Sequence, residues 1–265
     1  SLVSPGRFVP VTFCCAEGAR LVWVSGSLIL CPRDLPFILL RQENYVILRW
    51  KKQFVMRIGF DNEKYQRIQS EHIKERISRF DGKLYLELGG KLFDDHHASR
   101  VLPGFLPDSK LRMFQKLSDS IEIVIVISAT DIEKNKTRAD LGITYDEDVL
   151  RLRGEFQARG FMVGSVVITH YNGQPAASAF RKRLERDGIK TYCHYLIEGY
   201  PHNVALIASD EGFGRNDYVE TERPLVIVTA PGPGSGKMAV CLSQLYNEHK
   251  RGVRAGYSKF ETFPV

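Results

Sequence analysis

Cysteine is scarce in this sequence, and long apolar runs are missing. The five cysteines form no C-x-x-C pair, and their odd count argues against a disulfide framework or a zinc knuckle. No uninterrupted apolar stretch reaches the ~20 residues that span a bilayer, so no membrane partner is expected. Repeats and low-complexity tracts are also missing. We therefore expect a soluble, folded protein of the reducing cytoplasm, with a signal anchor near the N-terminus as the alternative.

Acidic residues are the minority among the charged side chains. The 37 Lys and Arg outnumber the 31 Asp and Glu and give a formal net charge of +6. This balance suits an anionic ligand such as a nucleotide or a phosphorylated small molecule. The densest basic run, RKRLERDGIK at residues 181–190, is typical of a solvated helix end and its exit turn. Nucleic acid is therefore not expected as a partner, whereas a homo-oligomer remains open.

Residues 1–55 differ from the rest of the chain. They hold three of the five cysteines and two apolar runs, LVWVSGSLIL and FILLRQENYVILRW. The chain begins with Ser1, whereas Met56 opens MRIGFDNEKY, which is typical of the first strand of a domain. We predict that Met56 is the natural start and that residues 1–55 are an upstream extension of the reading frame or an unrelated leader. A genuine β-rich extension is the alternative.

Strand and helix patterns alternate from Met56 onward. Strands are predicted at 56–60, 82–90, 121–129, 164–171, 190–197 and 224–230, and helices at 62–80, 108–119, 146–159, 174–186 and 237–250. The β-branched run IEIVIVISA at 121–129 is typical of a strand buried on both faces. The order predicts a three-layer α/β fold, Rossmann-like or P-loop-like, with a mostly parallel sheet and helices on both faces. Ligands of such sheets bind beyond the carboxyl ends of the strands.

A glycine-rich loop follows the last predicted strand. The segment TAPGPGSGKMAV leads through the candidate binding residues Gly232, Gly234, Ser235, Gly236, Lys237 and Met238 into a helix. Glycines let successive N–H groups turn toward an anion, and a helix N-terminus adds its positive end. An ammonium placed here reaches the outer phosphates of a nucleotide. We therefore predict a phosphate-binding loop for ATP, with Mg²⁺ as its expected companion and Lys237 as the catalytic group that stabilises charge.

The loop departs from the formula G-x-x-x-x-G-K-[ST] at two positions. Pro231 replaces the first glycine, and Met238 replaces the hydroxyl residue that ligates Mg²⁺. Two prolines, Pro231 and Pro233, also remove N–H donors and stiffen the loop. A cradle for another phosphorylated ligand and a purely structural turn therefore remain open beside the nucleotide site.

A polar cluster follows the predicted strand at 82–90. The segment GGKLFDDHHASR contains Asp94, Asp95, His96 and His97. Carboxylates and imidazoles bind divalent metals or perform acid–base chemistry, so Asp94 and Asp95 are candidate metal ligands and His97 is a candidate catalytic residue. Neighbouring residues point in different directions, however, and a polar loop that caps a short helix is the alternative.

A long polar connection follows the buried strand at 121–129. Asp131 lies at the end of that strand, where a magnesium-binding catalytic carboxylate is common in nucleotide enzymes. Three nearby cations, Lys134, Lys136 and Arg138, are placed to meet phosphate oxygens. A solvated loop with Asp146 as the cap of the next helix is an equal alternative.

Several of these stretches together resemble a known family. They are MRIGFDNEKYQRIQSEHIKERI, LELGGKLFDDHHASRVLPGFLPDSKLRM, DIEKNKTRADLGITYDEDVLRL and the segment from SDEGFGRNDY to FETFPV. This pattern is similar to the uncharacterised bacterial family called domain of unknown function 1846 and covers residues 56–265. The resemblance implies cytoplasmic proteins about twice as long, so the chain is expected to be a fragment that ends early at Val265. It also implies that Met238 belongs to the family's own form of the loop, and it assigns no reaction.

Three functions follow from these observations. The first is binding of ATP or another phosphorylated ligand at the glycine loop; if the protein is an enzyme, it is an ATP-dependent phosphotransferase or NTPase. The second is a non-catalytic sensor or scaffold for a phosphorylated metabolite, which the missing hydroxyl at Met238 favours. The third is a metal-dependent hydrolase centred on Asp94, Asp95 and His97.

Overall fold

The chain divides into two units, residues 1–57 and 58–265. The computed structural model of the chain describes residues 60–89, 92, 93 and 100–260, together with the backbone of five strands between residues 12 and 49. In the first unit, β1 (Thr12–Cys14), β2 (Ala19–Val24) and β3 (Ser27–Pro32) form an antiparallel sheet. The strands β4 (Ile38–Gln42) and β5 (Tyr45–Arg49) form a separate antiparallel pair.

The second unit alternates strands and helices. Its described strands are β6 (Leu84–Leu88), β7 (Ile121–Ser128), β8 (Met162–Tyr171), β9 (Lys190–Tyr195), β10 (Leu225–Thr229) and β11 (Gly256–Phe260). Its described α-helices are α1 (Asn62–Ser78), α2 (Ser109–Gln115), α3 (Ala129–Glu133), α4 (Tyr145–Ala158), α5 (Pro175–Arg186), α6 (Val204–Ile207) and α7 (Lys237–Lys250). Single 3₁₀ turns lie at Ser118–Ser120 and Phe213–Arg215.

The helix boundaries follow from local chemistry. The carboxylate of Asp61 accepts a hydrogen bond from the backbone N–H of Lys64 at 3.0 Å, which caps α1 as predicted. Helix α4 begins differently from the prediction. Its N-cap is Thr144, and Glu147 closes a capping box with it, so Asp146 is not the cap.

The six strands of the second unit form one parallel sheet in the order β11-β6-β10-β7-β8-β9. From β7 the chain proceeds outward to β8 and β9, and it then returns to insert β10 between β6 and β7. Such a reversal of strand order opens a crevice at the carboxyl ends of the strands. The predicted three-layer α/β fold with a parallel sheet is therefore confirmed.

Both faces of the sheet are buried, and the two faces differ in side-chain size. Along β7, Ile123, Ile125 and Ile127 belong to a large core, the isoleucine cluster, which includes residues of all five helices α1 to α5. The alternate residues Val124 and Val126 belong to a smaller core, the valine cluster, which includes Val240 and Cys241 of α7. Side chains of a strand alternate between faces, so helices cover both sides of the sheet. Among the described helices, none has the length and apolar content needed to cross a bilayer.

Candidate functional site

A cavity of about 340 Å³ lies at the carboxyl ends of the strands, beside the N-terminus of α7. Its walls include the end of the glycine loop and the last inward side chains of three strands. These are Glu87 of β6, Thr169 of β8 and His194 of β9. These three residues point to the face of the sheet that α7 covers. The residue two positions before each of them, Tyr85, Val167 and Tyr192, belongs to the valine cluster or packs against it, and side chains two positions apart in a strand share a face.

The glycine loop connects β10 to α7 along one wall of this cavity. Gly234 and Gly236 have φ angles of 76° and 85°, in the left-handed region where a side chain is strained. The hydroxyl of Ser235 donates to the carbonyl of Gly232 at 3.0 Å, and the hydroxyl of Thr169 donates to the carbonyl of Ser235 at 2.7 Å. The loop is therefore bonded both to itself and to the neighbouring strand β8.

Close packing also excludes a side chain at Gly232 and leaves little room for one at Gly236. A Cβ atom at Gly232 would lie 2.3 Å from the hydroxyl oxygen of Tyr145 in α4. A Cβ atom at Gly236 would lie 3.2 Å from Cγ2 of Thr169. The loop is thus confined between α4 and β8. Gly236 is the N-cap of α7 and offers no capping side chain, so the first N–H groups of this 14-residue helix have no partner within it.

Lys237 is the cation of the cavity wall. Burial lowers the pKa of Lys237, and the negative charge of Glu87 opposes that effect. Glu87 is itself only 7% exposed and accepts a hydrogen bond from the hydroxyl of Tyr257 at 2.7 Å. In the part of the chain that the structure describes, no carboxylate forms an ion pair with Lys237. A partly buried, unpaired ammonium at a helix N-terminus attracts anions.

His170 borders the cavity at the end of β8. Its φ angle is +51°, and the register between β8 and β9 shifts at this point. The Nδ1 atom of His170 lies 3.1 Å from Oγ of Ser128, which already accepts the N–H of Thr130. The Ser128 oxygen has a second lone pair beside the one used by Thr130, so either Ser128 or His170 can be the donor of this hydrogen bond. His170 and Ser128 thus form a hydrogen-bonded polar pair at the cavity wall.

His194 is another histidine of the cavity lining, and it is almost completely buried. It is 3% exposed, and its Nε2 atom lies 3.0 Å from the backbone carbonyl of Asp217, to which it donates. Among the described residues, its Nδ1 atom has no hydrogen-bond partner. Burial lowers the pKa of His194 to about 4, so the ring is neutral near pH 7 and Nδ1 carries a lone pair. A buried acceptor therefore stands at the β9 side of the cavity.

Comparison with known proteins places these features in a family. The family profile described as "Domain of unknown function DUF1846, N-terminal" matches residues 58–265. The chain belongs to this family. A UPF0371 protein of Streptococcus pyogenes serotype M5 (strain Manfredo) is 57% identical over 208 residues, which are 78% of this chain and 42% of that protein. A UPF0371 protein of Streptococcus sanguinis (strain SK36) is 57% identical over 209 residues, covering 79% of this chain and 42% of the relative. The chain thus spans less than half the length of these relatives.

Most of the predicted loop residues of this DUF1846 chain lie together at the cavity. Gly234, Ser235, Gly236, Lys237 and Met238 all line it, and Met238 is 43% exposed. Gly232 lies at the base of the loop, where its carbonyl accepts the Ser235 hydroxyl. The structure thus brings these residues together at one cavity, while their role in binding a ligand stays a prediction.

Asp131 lies outside the described cavity lining. It is part of α3, and its carboxylate forms an ion pair with Lys136 at 3.1 Å. Arg138 forms ion pairs with Asp140 and Asp148, the latter completely buried. Two of the three cations predicted to meet phosphate are thus paired with carboxylates of the same connection. A metal-binding role of Asp131 stays a prediction of the sequence.

The polar cluster of the DUF1846 sequence falls outside the described residues. This applies to Asp94, Asp95, His96 and His97, so the predicted metal and catalytic roles of Asp94, Asp95 and His97 stay predictions. Within the described ranges, no group of three or more His, Cys, Asp or Glu side chains is arranged to hold a metal ion.

Two residues of the cavity, Glu87 and His194, were missed at the sequence level. Each is a charged or titratable residue inside a strand whose neighbours are mostly apolar or aromatic, in LYLEL and KTYCHY. A polar residue near the carboxyl end of a buried parallel strand could have identified both, because such sheets bind ligands at that end of their strands.

Proposed function

We propose that this chain binds the phosphate group of a small molecule at residues 234–237. One observation carries the proposal: the N-terminus of α7 and the partly buried Lys237 border the same cavity, and no described side chain caps the helix or forms an ion pair with Lys237. Backbone N–H groups at a helix start and an ammonium are the groups that stabilise a phosphate. The basic net charge of +6 acts in the same direction.

The ligand is a nucleotide such as ATP or a smaller phosphorylated metabolite. A cavity of about 340 Å³ is near the lower end of the usual range for small-molecule sites. This size supports a compact phosphate ester at least as well as a complete triphosphate nucleotide. Because the chain covers 42% of its relatives, the rest of such a protein is expected to contribute further contacts.

Mg²⁺ coordination by the loop itself does not fit the residues present. Met238 offers a thioether where a hydroxyl ligand is expected, and hard cations such as Mg²⁺ prefer oxygen. Among the described lining residues, Glu87 is the sole carboxylate, and it already accepts the Tyr257 hydroxyl. We therefore assign no step to Mg²⁺. This donor set favours the second candidate function, a sensor or scaffold that binds a phosphorylated metabolite without turnover.

Phosphoryl transfer or hydrolysis is the catalytic form of the proposal. Lys237 and the loop N–H groups would stabilise charge on the phosphoryl oxygens, and Glu87 is the described carboxylate placed to accept a proton from an attacking hydroxyl. Incubation of the chain with ATP for several hours distinguishes this form from the sensor. Release of inorganic phosphate supports the catalytic form, and binding without release supports the sensor.

Replacement of Lys237 tests the binding site. The Lys237→Ala variant is expected to bind inorganic phosphate and ATP about 10- to 100-fold more weakly, because a charge-assisted hydrogen bond contributes about 1.5–3 kcal/mol. Isothermal titration calorimetry with and without Mg²⁺ measures the affinities. The matched control Lys182→Ala removes the same charge from an exposed position of α5 and is expected to leave both affinities unchanged. Equal affinity of the Lys237→Ala variant and the parent chain would refute the proposal.

A further inference from the structure

Glu87 of β6 has one carboxylate oxygen with a fixed partner and one without. The hydroxyl of Tyr257 in β11 donates to Oε2 at 2.7 Å. The other oxygen, Oε1, has no hydrogen-bond partner among the described residues, and it retains accessible surface. Since Glu87 is only 7% exposed and lines the cavity, the surface that Oε1 retains faces that space. The cavity therefore contains a carboxylate oxygen that is oriented by Tyr257 and open to a ligand.

The ammonium of Lys237 faces the same cavity without contacting this carboxylate. Burial lowers the pKa of Lys237, and the charge of Glu87 opposes that effect, so the two groups lie within electrostatic range of each other. In the described part of the chain they form no ion pair. A ligand in this cavity therefore meets a cation and the N-terminus of α7 on one side and a hydrogen-bond acceptor on the other.

The carboxylate of Glu87 restricts which group of a ligand it can contact. A phosphate ionised near neutral pH offers negatively charged acceptors only, so Glu87 repels it. Oε1 can bind a donor, which is either a hydroxyl or an ammonium group. Lys237 and the positive end of α7 repel a ligand ammonium, whereas a hydroxyl donates a hydrogen bond without adding charge. A hydroxyl is therefore the group that complements Glu87.

We propose that Glu87 selects the ligand of this cavity by accepting a hydrogen bond from a hydroxyl of the molecule whose phosphate lies at residues 234–237. The ligand class is a phosphate monoester with a free hydroxyl, such as a glycerol or pentose phosphate, free or within a nucleotide. This inference rests on the proposed function. Glu87 acts here as a specificity-determining residue, and Tyr257 acts through it by fixing the orientation of the carboxylate.

Two probes of the same size test the contact in the parent chain. Propyl phosphate and glycerol 3-phosphate share a three-carbon chain, and only the second offers hydroxyl donors. Calorimetry at pH 7 with the 265-residue chain measures both affinities. We expect glycerol 3-phosphate to bind at least about tenfold more tightly, which corresponds to about 1.4 kcal/mol. This comparison does not depend on the folding of any variant.

The Glu87→Gln variant isolates the contribution of the carboxylate. Tyr257 continues to donate to the amide oxygen, so the amide NH₂ group replaces Oε1 at the cavity. A charge-assisted hydrogen bond is roughly twice as strong as a neutral one, so we expect the preference for glycerol 3-phosphate to fall by at least about threefold. Propyl phosphate is expected to bind at least as tightly as before, because its repulsion by Glu87 is removed. A general loss of structure would instead weaken the binding of both probes.

The matched control is Glu220→Gln, which removes the same charge from an exposed position. It is expected to leave both affinities unchanged, and equal effects of the two variants would overturn the role of Glu87. If the chain binds no phosphate probe, the proposed function itself is wrong. If propyl phosphate and glycerol 3-phosphate bind equally well, or if Glu87→Gln keeps the full preference, the role of Glu87 is wrong while the phosphate site stands.

Further probes identify the donor and its source. Phosphoethanolamine carries an ammonium group in place of the hydroxyl, and binding tighter than that of glycerol 3-phosphate would overturn the assignment of a hydroxyl. AMP and ribose 5-phosphate separate the two sources of the ligand. Tighter binding of AMP assigns a nucleotide, and equal or weaker binding of AMP assigns a free sugar phosphate.

Discussion

At the scale of single residues, the cavity depends on groups whose environment changes their chemistry. Lys237 is a cation with lowered pKa because it is partly buried, and His194 is a neutral acceptor because it is almost fully buried. Gly236 adopts a left-handed conformation that places the start of α7 against Thr169. Each of these properties comes from contacts with residues remote in the sequence.

The pKa of His194 predicts a specific pH dependence of stability. The unfolded chain protonates His194 below its ordinary pKa of 6.5, whereas the folded chain resists protonation down to about 4. The unfolded state therefore binds more protons between these values, and the free energy of unfolding falls by at most about 1.4 kcal/mol per pH unit as the pH decreases. This contribution is fully present above pH 6.5 and is lost toward pH 4.

Urea unfolding followed by circular dichroism between pH 7 and 4.5 measures this contribution. The His194→Gln variant has no titrating group at this position, so its stability is expected to depend less steeply on pH than that of the parent chain. Parallel curves for the two proteins would show that His194 titrates normally in the folded state.

At the scale of secondary-structure elements, α4 supports the glycine loop from the side. Its first residue, Tyr145, is close enough to Gly232 that a Cβ atom there would clash with its ring. The same helix contains Asp148, which is completely buried and accepts hydrogen bonds from Arg138 at 2.9 Å and Arg151 at 2.6 Å. The polar connection before α4 is thus an ion-paired structure that positions the helix.

Replacement of the buried carboxylate tests this role. The Asp148→Asn variant is expected to lose about 3 kcal/mol of stability, because two arginines lose their buried counter-ion. The control Asp140→Asn removes a 42% exposed partner of the same Arg138 and is expected to cost less than about 1 kcal/mol. Urea unfolding measures both, and equal losses would contradict a dominant role of the buried pair. Because α4 packs against the loop, we also expect weaker phosphate binding by Asp148→Asn.

Element types were largely predictable, and the exceptions have physical reasons. The apolar run of β7 identified a strand buried on both faces, and the glycine loop identified the junction of β10 and α7. The edge strand β11, GYSKF, was missed because Gly256 and Ser258 occupy buried positions that are ordinarily apolar. Gly256 is required there because a Cβ atom would lie 2.3 Å from the ring of Phe80, a contact that local sequence does not show.

At the scale of the whole molecule, the second unit contains the parallel sheet and the helices that cover it. All six strands of this sheet belong to the unit. The family profile matches the same residues, 58–265. That the domain begins at Met56 stays a prediction of the sequence.

A chain that starts at Met56 tests whether residues 1–55 contribute to this core. We expect cooperative thermal unfolding with a midpoint within about 3 °C of the full chain, because about 1 kcal/mol shifts the midpoint of a domain of this size by 2–4 °C. Unchanged affinity for phosphate is expected as well. Loss of solubility or of the cooperative transition would show that the first 55 residues belong to the fold.

The sequence by itself determined the local features of this protein: the alternation of strands and helices, the burial of β7 on both faces, and the loop that ends in Lys237. These follow from periodicity and backbone preferences that act over a few residues. Only the tertiary structure decided that β10 inserts between β6 and β7 and that Glu87, Thr169 and His194 meet the loop at one cavity. Strand order and the burial of individual polar groups depend on packing between segments remote in the sequence, such as the contact of Thr169 with Ser235 at a separation of 66 residues. Periodicity contains no information about such contacts.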